Sequence, residues 1–146
     1  LRMTHDKLKR TYKETFGNAL LDKEIEKIVR IGVEEELKSG VQSIQYQINT
    51  LMTTNGQTPF VTLFLNLRKD DPYIEETAMI IEEILNQRIQ GVKNEVGIYV
   101  TPAFPKLVYV LDEHNCLKGG KYDYLTKLAV KCSAKRMYPD YISAKK

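Results

Sequence analysis

Two short runs, Phe60-Val61-Thr62-Leu63-Phe64-Leu65 and Leu107-Val108-Tyr109-Val110-Leu111, are apolar almost throughout, where a half-exposed strand would alternate. Runs of this kind suit strands covered on both faces, as in parallel sheets. Between them Ile74, Ala78, Ile81, Leu85 and Ile89 recur at helical spacing and end at Gly91. Asp71 stands where a cap is wanted, and Pro72 where a first helical turn accepts it. Strand, a helix of about five turns, then strand makes a parallel crossover, expected to be right-handed. The fold class read from this pattern is α/β, with helices outside a parallel sheet.

Elsewhere Leu21, Ile25, Ile28, Val29, Val33 and Leu37 form one apolar stripe and predict a helix from about Asp22 to Lys38. Asp22 is expected to cap it, Glu24 and Glu26 suit its positive end, and Ser39-Gly40 is expected to close it. A second helix then carries Val41, Ile44, Ile48, Leu51 and Met52, so the two are expected to form a bend or an antiparallel pair. The last helix, from about Tyr122 to Met137, places Leu125, Leu128, Ala129 and Cys132 on one face before Pro139 ends it. At 146 residues the chain is long enough for one domain with a true core. It begins at Leu1 rather than Met, which leads us to expect a piece of a longer protein: residues 1–146 as a single partial domain, with 1–20 a less ordered leading segment.

Charge and cysteine content exclude several classes. The 22 basic and 19 acidic residues give a net +3 and are interspersed, whereas a nucleic-acid groove needs clustered cations. No apolar stretch approaches the roughly 20 residues that span a bilayer, and no secretory leader is recognisable. Neither nucleic acid nor membrane is therefore an expected partner. Cys116 and Cys132 are too few for a disulfide scaffold and lack the close spacing of a zinc knuckle or redox dithiol, which points to a reducing cytoplasm.

Catalytic chemistry is hard to find. His5 and His114 have no visible carboxylate or nucleophile partner and read as surface groups. Glu34-Glu35-Glu36 and Glu82-Glu83 sit at adjacent helix positions, which diverge by about 100° and cannot jointly clasp a metal or a proton. Cys132 shares an apolar helix face and reads as a small core residue whose thiol keeps its proton, although neighbouring cations such as Lys131, Lys135 and Arg136 pull the other way. No catalytic or metal-binding residue is assigned.

Two irregular tracts remain, Asn49 to Phe60 and Lys93 to Lys106, each dense in Asn, Gln, Thr, Gly or Pro and each running into an apolar strand. Connectors beside buried strands are where scaffolds carry ligand contacts. Thr53, Thr54, Asn55, Gln57 and Thr58 offer donors suited to phosphate or ribose at a strand entrance. The same stretch is equally what a structural turn needs, with Gly56 for positive φ and Pro59 to stiffen the approach. Neither a G-x-x-x-x-G-K-[ST] nor a G-x-G-x-x-G motif is present.

Five ordered blocks carry a resemblance. They are Ile48-Asn49-Thr50-Leu51-Met52-Thr53-Thr54-Asn55-Gly56-Gln57-Thr58-Pro59-Phe60, Glu82-Glu83-Ile84-Leu85-Asn86-Gln87-Arg88, Lys93-Asn94-Glu95, Phe104-Pro105-Lys106-Leu107, and Cys132-Ser133-Ala134-Lys135-Arg136-Met137-Tyr138-Pro139-Asp140. Together, from about Leu21 to the end, the chain resembles the large subunit of the anaerobic (class III) ribonucleoside-triphosphate reductases. Some members carry a Ser-Arg pair where this chain has Thr53-Thr54, so a role tied to that arginine does not transfer.

The resemblance implies a glycyl-radical oxidoreductase of deoxyribonucleotide biosynthesis for DNA replication, which removes the ribose 2′-hydroxyl of nucleoside triphosphates inside a ten-stranded α/β barrel. It implies formate as reductant, ATP and deoxynucleotide allosteric effectors, a structural zinc, a homodimer, and a separate radical S-adenosylmethionine activase. The radical glycine, the zinc cysteines and the thiyl cysteine of the family's Gly-Cys-Arg-Ser loop are all expected outside these residues; Cys132 precedes that loop and does not match it. The segment is thus expected to supply barrel staves without turnover of its own and to meet substrate through Thr53–Thr58. Two other readings stand beside it. One is a nucleotide-binding module using Asn55, Gln57 and Thr58, and the other is an oligomerisation module built on unpaired strand edges.

Overall fold

The computed structural model describes residues 1–17, 21–51, 56–57 and 59–145. They form two compact units, Leu1–Val41 and Gln42–Lys146, where the sequence reading expects a single partial domain.

The first unit contains helix α1 (Arg2–Phe16), in the stretch expected to be less ordered, and the beginning of helix α2 (Asp22–Thr50). Ile25, Val29, Val33 and Val41 are buried among its described residues, the first three at the i, i+4, i+8 spacing that keeps one face inward. The two helices approach closely at Gly32, where an added Cβ would lie 2.9 Å from Leu8 Cδ1. Ionic contacts flank this apolar seam: Lys9 Nζ to Glu26 Oε2 at 2.6 Å, His5 Nε2 to Glu26 Oε1 at 2.8 Å and Lys13 Nζ to Asp22 Oδ1 at 2.9 Å. The carboxylate expected to cap α2 is thus turned to Lys13, and Leu21 N–H donates to Glu24 Oε2 instead.

α2 also corrects the expected break at Ser39-Gly40, because it runs unbroken to Thr50. A terminating glycine takes a left-handed backbone, and Gly40 is not among the positive-φ glycines. In a helix interior it costs only about 1 kcal/mol relative to Ala, which buried neighbours such as Val41 readily offset.

The second unit is built on a three-stranded parallel sheet. Strands β1 (Thr62–Leu65), β4 (Lys106–Leu111) and β5 (Asp140–Ser143) lie in the order β1-β4-β5, with Leu63 opposite Leu107 and Val110 opposite Ile142. Helix α3 (Ile74–Gln90) links the first pair, preceding a two-residue antiparallel ribbon of β2 (Val92–Lys93) and β3 (Tyr99–Val100). A short α4 (Glu113–Cys116) and α5 (Asp123–Arg136) link the second pair. The expected parallel crossover is therefore present, and β5, the ribbon and α4 are additions to what periodicity predicts. α3 opens two residues after Pro72, with the Asp71 carboxylate accepting from Tyr73 N–H at 2.8 Å and Thr77 Oγ1 at 3.2 Å.

Leu65, Leu107 and Tyr109 pack with Ala78, Ile81 and Leu85 of α3 and with Leu125, Ala129 and Cys132 of α5, so both long helices cover the same sheet face. The opposite face carries Phe64, Val108, Val110 and Ile142 by alternation, and Phe64 is 63% and Ile142 43% exposed. Within the described residues β1 is covered on one face, while the central β4 is largely buried throughout.

Candidate functional site

The tract singled out for ligand contact is flanked by two anchors. On its N-terminal side, Asn49 near the end of α2 donates from Nδ2 to Gln45 O at 2.7 Å and to Phe104 O at 3.3 Å. On its C-terminal side, the Phe60 ring meets the Phe104 ring edge-on, with centroids 5.0 Å apart. Just beyond, Lys106 N–H donates to Val61 O at 2.8 Å and begins the pairing of β1 with β4. Of the residues proposed between these anchors, Gln57 is described and exposed; Thr53, Thr54, Asn55 and Thr58 lie outside the described residues.

Phe104 belongs to a turn held from below by Arg88, which is 1% exposed. Its Nη1 donates to Pro102 O at 2.7 Å and its Nη2 to Pro105 O, and its guanidinium lies 5.6 Å from the centre of the Tyr138 ring. Carbonyls, not a carboxylate, receive this fork, and burial lowers the guanidinium's affinity for its proton without coming near discharging it. A second arginine, Arg136 at the end of α5, donates to Ile89 O at 3.1 Å, Gln90 O at 2.7 Å and Thr101 Oγ1 at 3.2 Å. It satisfies carbonyls left open by the end of α3. Gly91, at φ +82°, makes this approach possible: a Cβ there would lie 2.6 Å from Val100 O and 2.8 Å from Arg136 Nη2.

Cys132 is fully buried in the same region. Burial pushes its thiol up, outweighing the opposite pull of Arg88 and Arg136, so it stays protonated and acts as a core residue. Ser133 beside it bridges Pro139 O at 3.0 Å and Tyr141 OH at 2.7 Å, tying α5 to β5. The block from Cys132 to Asp140 is therefore a scaffold joint.

Two clefts remain. One of about 460 Å³ lies beside the tract, lined by Gln42, Gln45, Tyr46, Asn49 and Thr50 of α2 together with Gln87, Gln90, Lys93 and Tyr99. Its described lining offers amides, phenols and one ammonium, which sits 5.3 Å from the Tyr99 ring centre. Such a set can bind and orient a ligand but holds no acid–base pair. The other, about 770 Å³ and wide open, lies at the carboxyl ends of the strands by Asn66, Arg68, Lys69, Asp70 and Asp112. Parallel sheets commonly receive ligands at that end. Arg68 there is occupied by Asp70, with Nη2 to Oδ2 at 2.9 Å.

Neither histidine is the unpartnered surface group that the sequence reading expects, because the fold brings Glu26 to His5 at 2.8 Å and tucks His114 beside Asp112 and Tyr122. His5 is ion-paired within α1 and α2, and His114 lies edge-on to Tyr122, 6.2 Å between centroids, on the α4 turn capped by Asp112. Among the described residues no three His, Cys, Asp or Glu side chains gather to hold a metal, and no helix is long and apolar enough to cross a membrane. Cys116 is exposed and Cys132 buried, so the pair does not fit a zinc site. Sequence reasoning missed Arg88 as an anchor; its signal was a charged residue interrupting the buried side of the α3 stripe.

This architecture defines an α/β segment whose helices α3 and α5 sit together on one face of a parallel sheet, with the buried Arg88 and the half-buried Arg136 holding its loops. Residues 11–146 match the sequence model of the anaerobic ribonucleoside-triphosphate reductases, and the chain belongs to that family. It is 42% identical over 113 residues to the anaerobic ribonucleoside-triphosphate reductase of Enterobacteria phage T4, covering 77% of this chain and 18% of the phage protein. Identity to the Haemophilus influenzae enzyme of that name is 36% over 121 residues, 82% of this chain and 16% of the relative. For the Escherichia coli enzyme it is 41% over 111 residues, 75% and 14%. The chain thus spans between about a seventh and a fifth of the curated relatives it matches.

Proposed function

We propose that this chain is a segment of a longer anaerobic reductase that converts ribonucleoside triphosphates to 2′-deoxyribonucleoside triphosphates, and that it supplies staves of a closed ten-stranded α/β barrel. The observation that carries the reading is the one-sided covering of the sheet. Successive parallel crossovers that step in one direction, β1 to β4 to β5, put their helices on the same face. A sheet wound this way curls toward its bare face and closes with that face inward. Phe64 and Ile142 are then interior side chains awaiting the remaining staves.

Within that reading the chemistry belongs to parts of the enzyme beyond these residues. Those parts are the glycyl radical generated by a radical S-adenosylmethionine activase, the formate reductant, the ATP-binding regulatory domain and the zinc site, whereas the two early helices are assigned to a subunit contact at which a deoxynucleotide effector sits. Cys116 and Cys132 do not fit the zinc, so no step here runs through it. The segment's part is to position the connector from Thr53 to Thr58 against the nucleotide, in a cytoplasmic enzyme.

The test uses the full-length protein, activated anaerobically with its activase and assayed for deoxynucleotide formation. Activity with nucleoside triphosphates is the expected result, and its absence from fully radical-loaded enzyme removes the reading. Phe64→Asp in the same protein is expected to abolish folding or activity, because an unpaired carboxylate inside a barrel costs several kcal/mol. An active, normally stable Phe64→Asp enzyme would show that this face lies outside the barrel.

A further inference from the structure

Gln42, Gln45, Tyr46 and Asn49 stand at the i, i+3, i+4, i+7 spacing that puts them on one face of α2. That face is one wall of the cleft of about 460 Å³, and the others are Gln87 and Gln90 from the end of α3 with Lys93 and Tyr99 from the β2–β3 ribbon. All of these residues belong to the second unit.

The chemistry of the walls selects a ligand. Glutamine and asparagine carry a donor and an acceptor side by side, as the edges of nucleobases do. Tyr46 is 71% and Tyr99 45% exposed, so both phenols have ring area that packing leaves to a ligand. Aromatic faces of this kind stack bases with little regard to their identity. Lys93 Nζ stands 5.3 Å from the centre of the Tyr99 ring, which sets an ammonium beside a stacking surface, where a phosphate attached to a stacked base would need it. No carboxylate is among the described lining residues to repel that phosphate. An uncharged sugar would make no use of the ammonium, and a basic peptide would be repelled by it. The volume falls within the roughly 300–1,000 Å³ of small-molecule sites.

We propose that this cleft binds a nucleotide, its base on the tyrosine faces, its base edge at the glutamines and its phosphate at Lys93. Binding here goes beyond the reductase reading, because the walls hold no acid–base pair and occupancy needs no turnover. It needs no second subunit either, since every wall comes from one chain. The ribbon is half of the device: Gln90 Nε2 donates to the Tyr99 hydroxyl at 3.5 Å, and Gly91, at φ +82°, turns the chain from α3 into β2. A nucleotide bridging α2 and Tyr99 holds that ribbon in place.

The experiment is photo-labelling of the full-length protein by an azidoadenosine triphosphate, without radical activation so that turnover is absent, with the labelled peptides mapped. Label is expected in residues 42–50 and 90–100, and saturating ATP is expected to slow amide exchange across residues 92–100. Tyr99→Ala and Lys93→Glu should each lower the label in these segments by about tenfold, while Tyr99→Phe, which keeps the ring, should retain it. Label at other nucleotide sites of the protein should stay unchanged, which separates loss of this site from loss of the fold. Tyr46→Ala, at an exposed helical position where alanine is well tolerated, should lower the label several-fold and decides the matter if a ribbon variant does not fold. Protection by unlabelled ATP or by dATP upholds the site and names the sugar it takes.

Absence of label from both segments, label there that survives Tyr99→Ala and Lys93→Glu, or protection by neither nucleotide overturns the proposal. So does a labelled fraction that falls when the protein is diluted at constant nucleotide, the mark of a ligand held at a subunit contact. None of these outcomes touches the reductase reading, which turnover by the activated enzyme decides.

Discussion

In residues 1–41, α1 and α2 are joined across a narrow seam whose ion pairs solvent reaches, whereas in residues 42–146 two helices and a sheet enclose a continuous core and a buried cation. The core of the second arrangement resists changes of salt and pH because its parts are out of water, while exposed pairs such as Arg68 with Asp70 stay on its rim. The seam of the first responds to both, since exposed pairs are screened and their carboxylates and imidazole titrate. What separates the two units is therefore a core that does not depend on ion pairs. Even the charge placed in it, Arg88, is used for its shape.

The sharpest way to break this contrast is in the sheet. Leu107→Ala, at a fully buried position in the central strand, is expected to lower stability by about 2–5 kcal/mol in denaturant unfolding. Lys9→Ala in the first unit should leave the midpoint unresolved from that of the unaltered chain. Comparable losses from the two would mean that exposed ion pairs matter as much as packing. A smaller effect is expected at Gly40, which is helical with open space around an added Cβ. Gly40→Ala should raise stability by about 0.5–1 kcal/mol if α2 is one helix, and should lower it if the helix ends there.

The smallest effect concerns pH. The Glu26 hydrogen bond holds the His5 imidazole above its ordinary value of 6.5, and Lys9 followed by His5 hold Glu26 below its ordinary 4.5. A raised imidazole stabilises fully below 6.5 and loses that contribution as pH rises through its folded value. A depressed carboxylate stabilises above 4.5 and loses it as pH falls through its own. The pairing of α1 with α2 should hence be firmest between about pH 4.5 and 6.5. Amide exchange in α1 should quicken above that window beyond the intrinsic base-catalysed rise, and both His5→Ala and 1 M salt should flatten the dependence. A pH-independent protection profile would assign the seam to Leu8 and Gly32 alone.

Much of this architecture was legible from the residues. The stripe from Ile74 to Ile89, the apolar run at Leu107–Leu111 and the stripe from Leu125 to Cys132 appear as α3, β4 and α5, because a side chain's face is set by the helical or strand repeat. β5 was not legible. Asp140–Ser143 is four exposed residues with no apolar pattern, and only the free edge of β4 makes them a strand. The ribbon at Val92 and Val100 escaped for the same reason, being held by the Asn94 side chain accepting from Val96 N–H at 3.1 Å and Ile98 N–H at 2.8 Å. Of the site, composition marked the tract from Asn49 to Phe60 but not its anchorage, which depends on residues 44 to 55 positions away.

The amino acids alone determined the α/β class, the crossover from β1 to β4, the core role of Cys132 and the family blocks, since each rests on local spacing or residue identity. Tertiary structure decided that Gly40 lies within a helix, that α3 and α5 share one face of the sheet, and that Asn49, Phe60 and Arg88 meet at a single turn. Those outcomes turn on long-range partners, and a neighbour distant in the chain leaves no periodic trace beside the residue it holds.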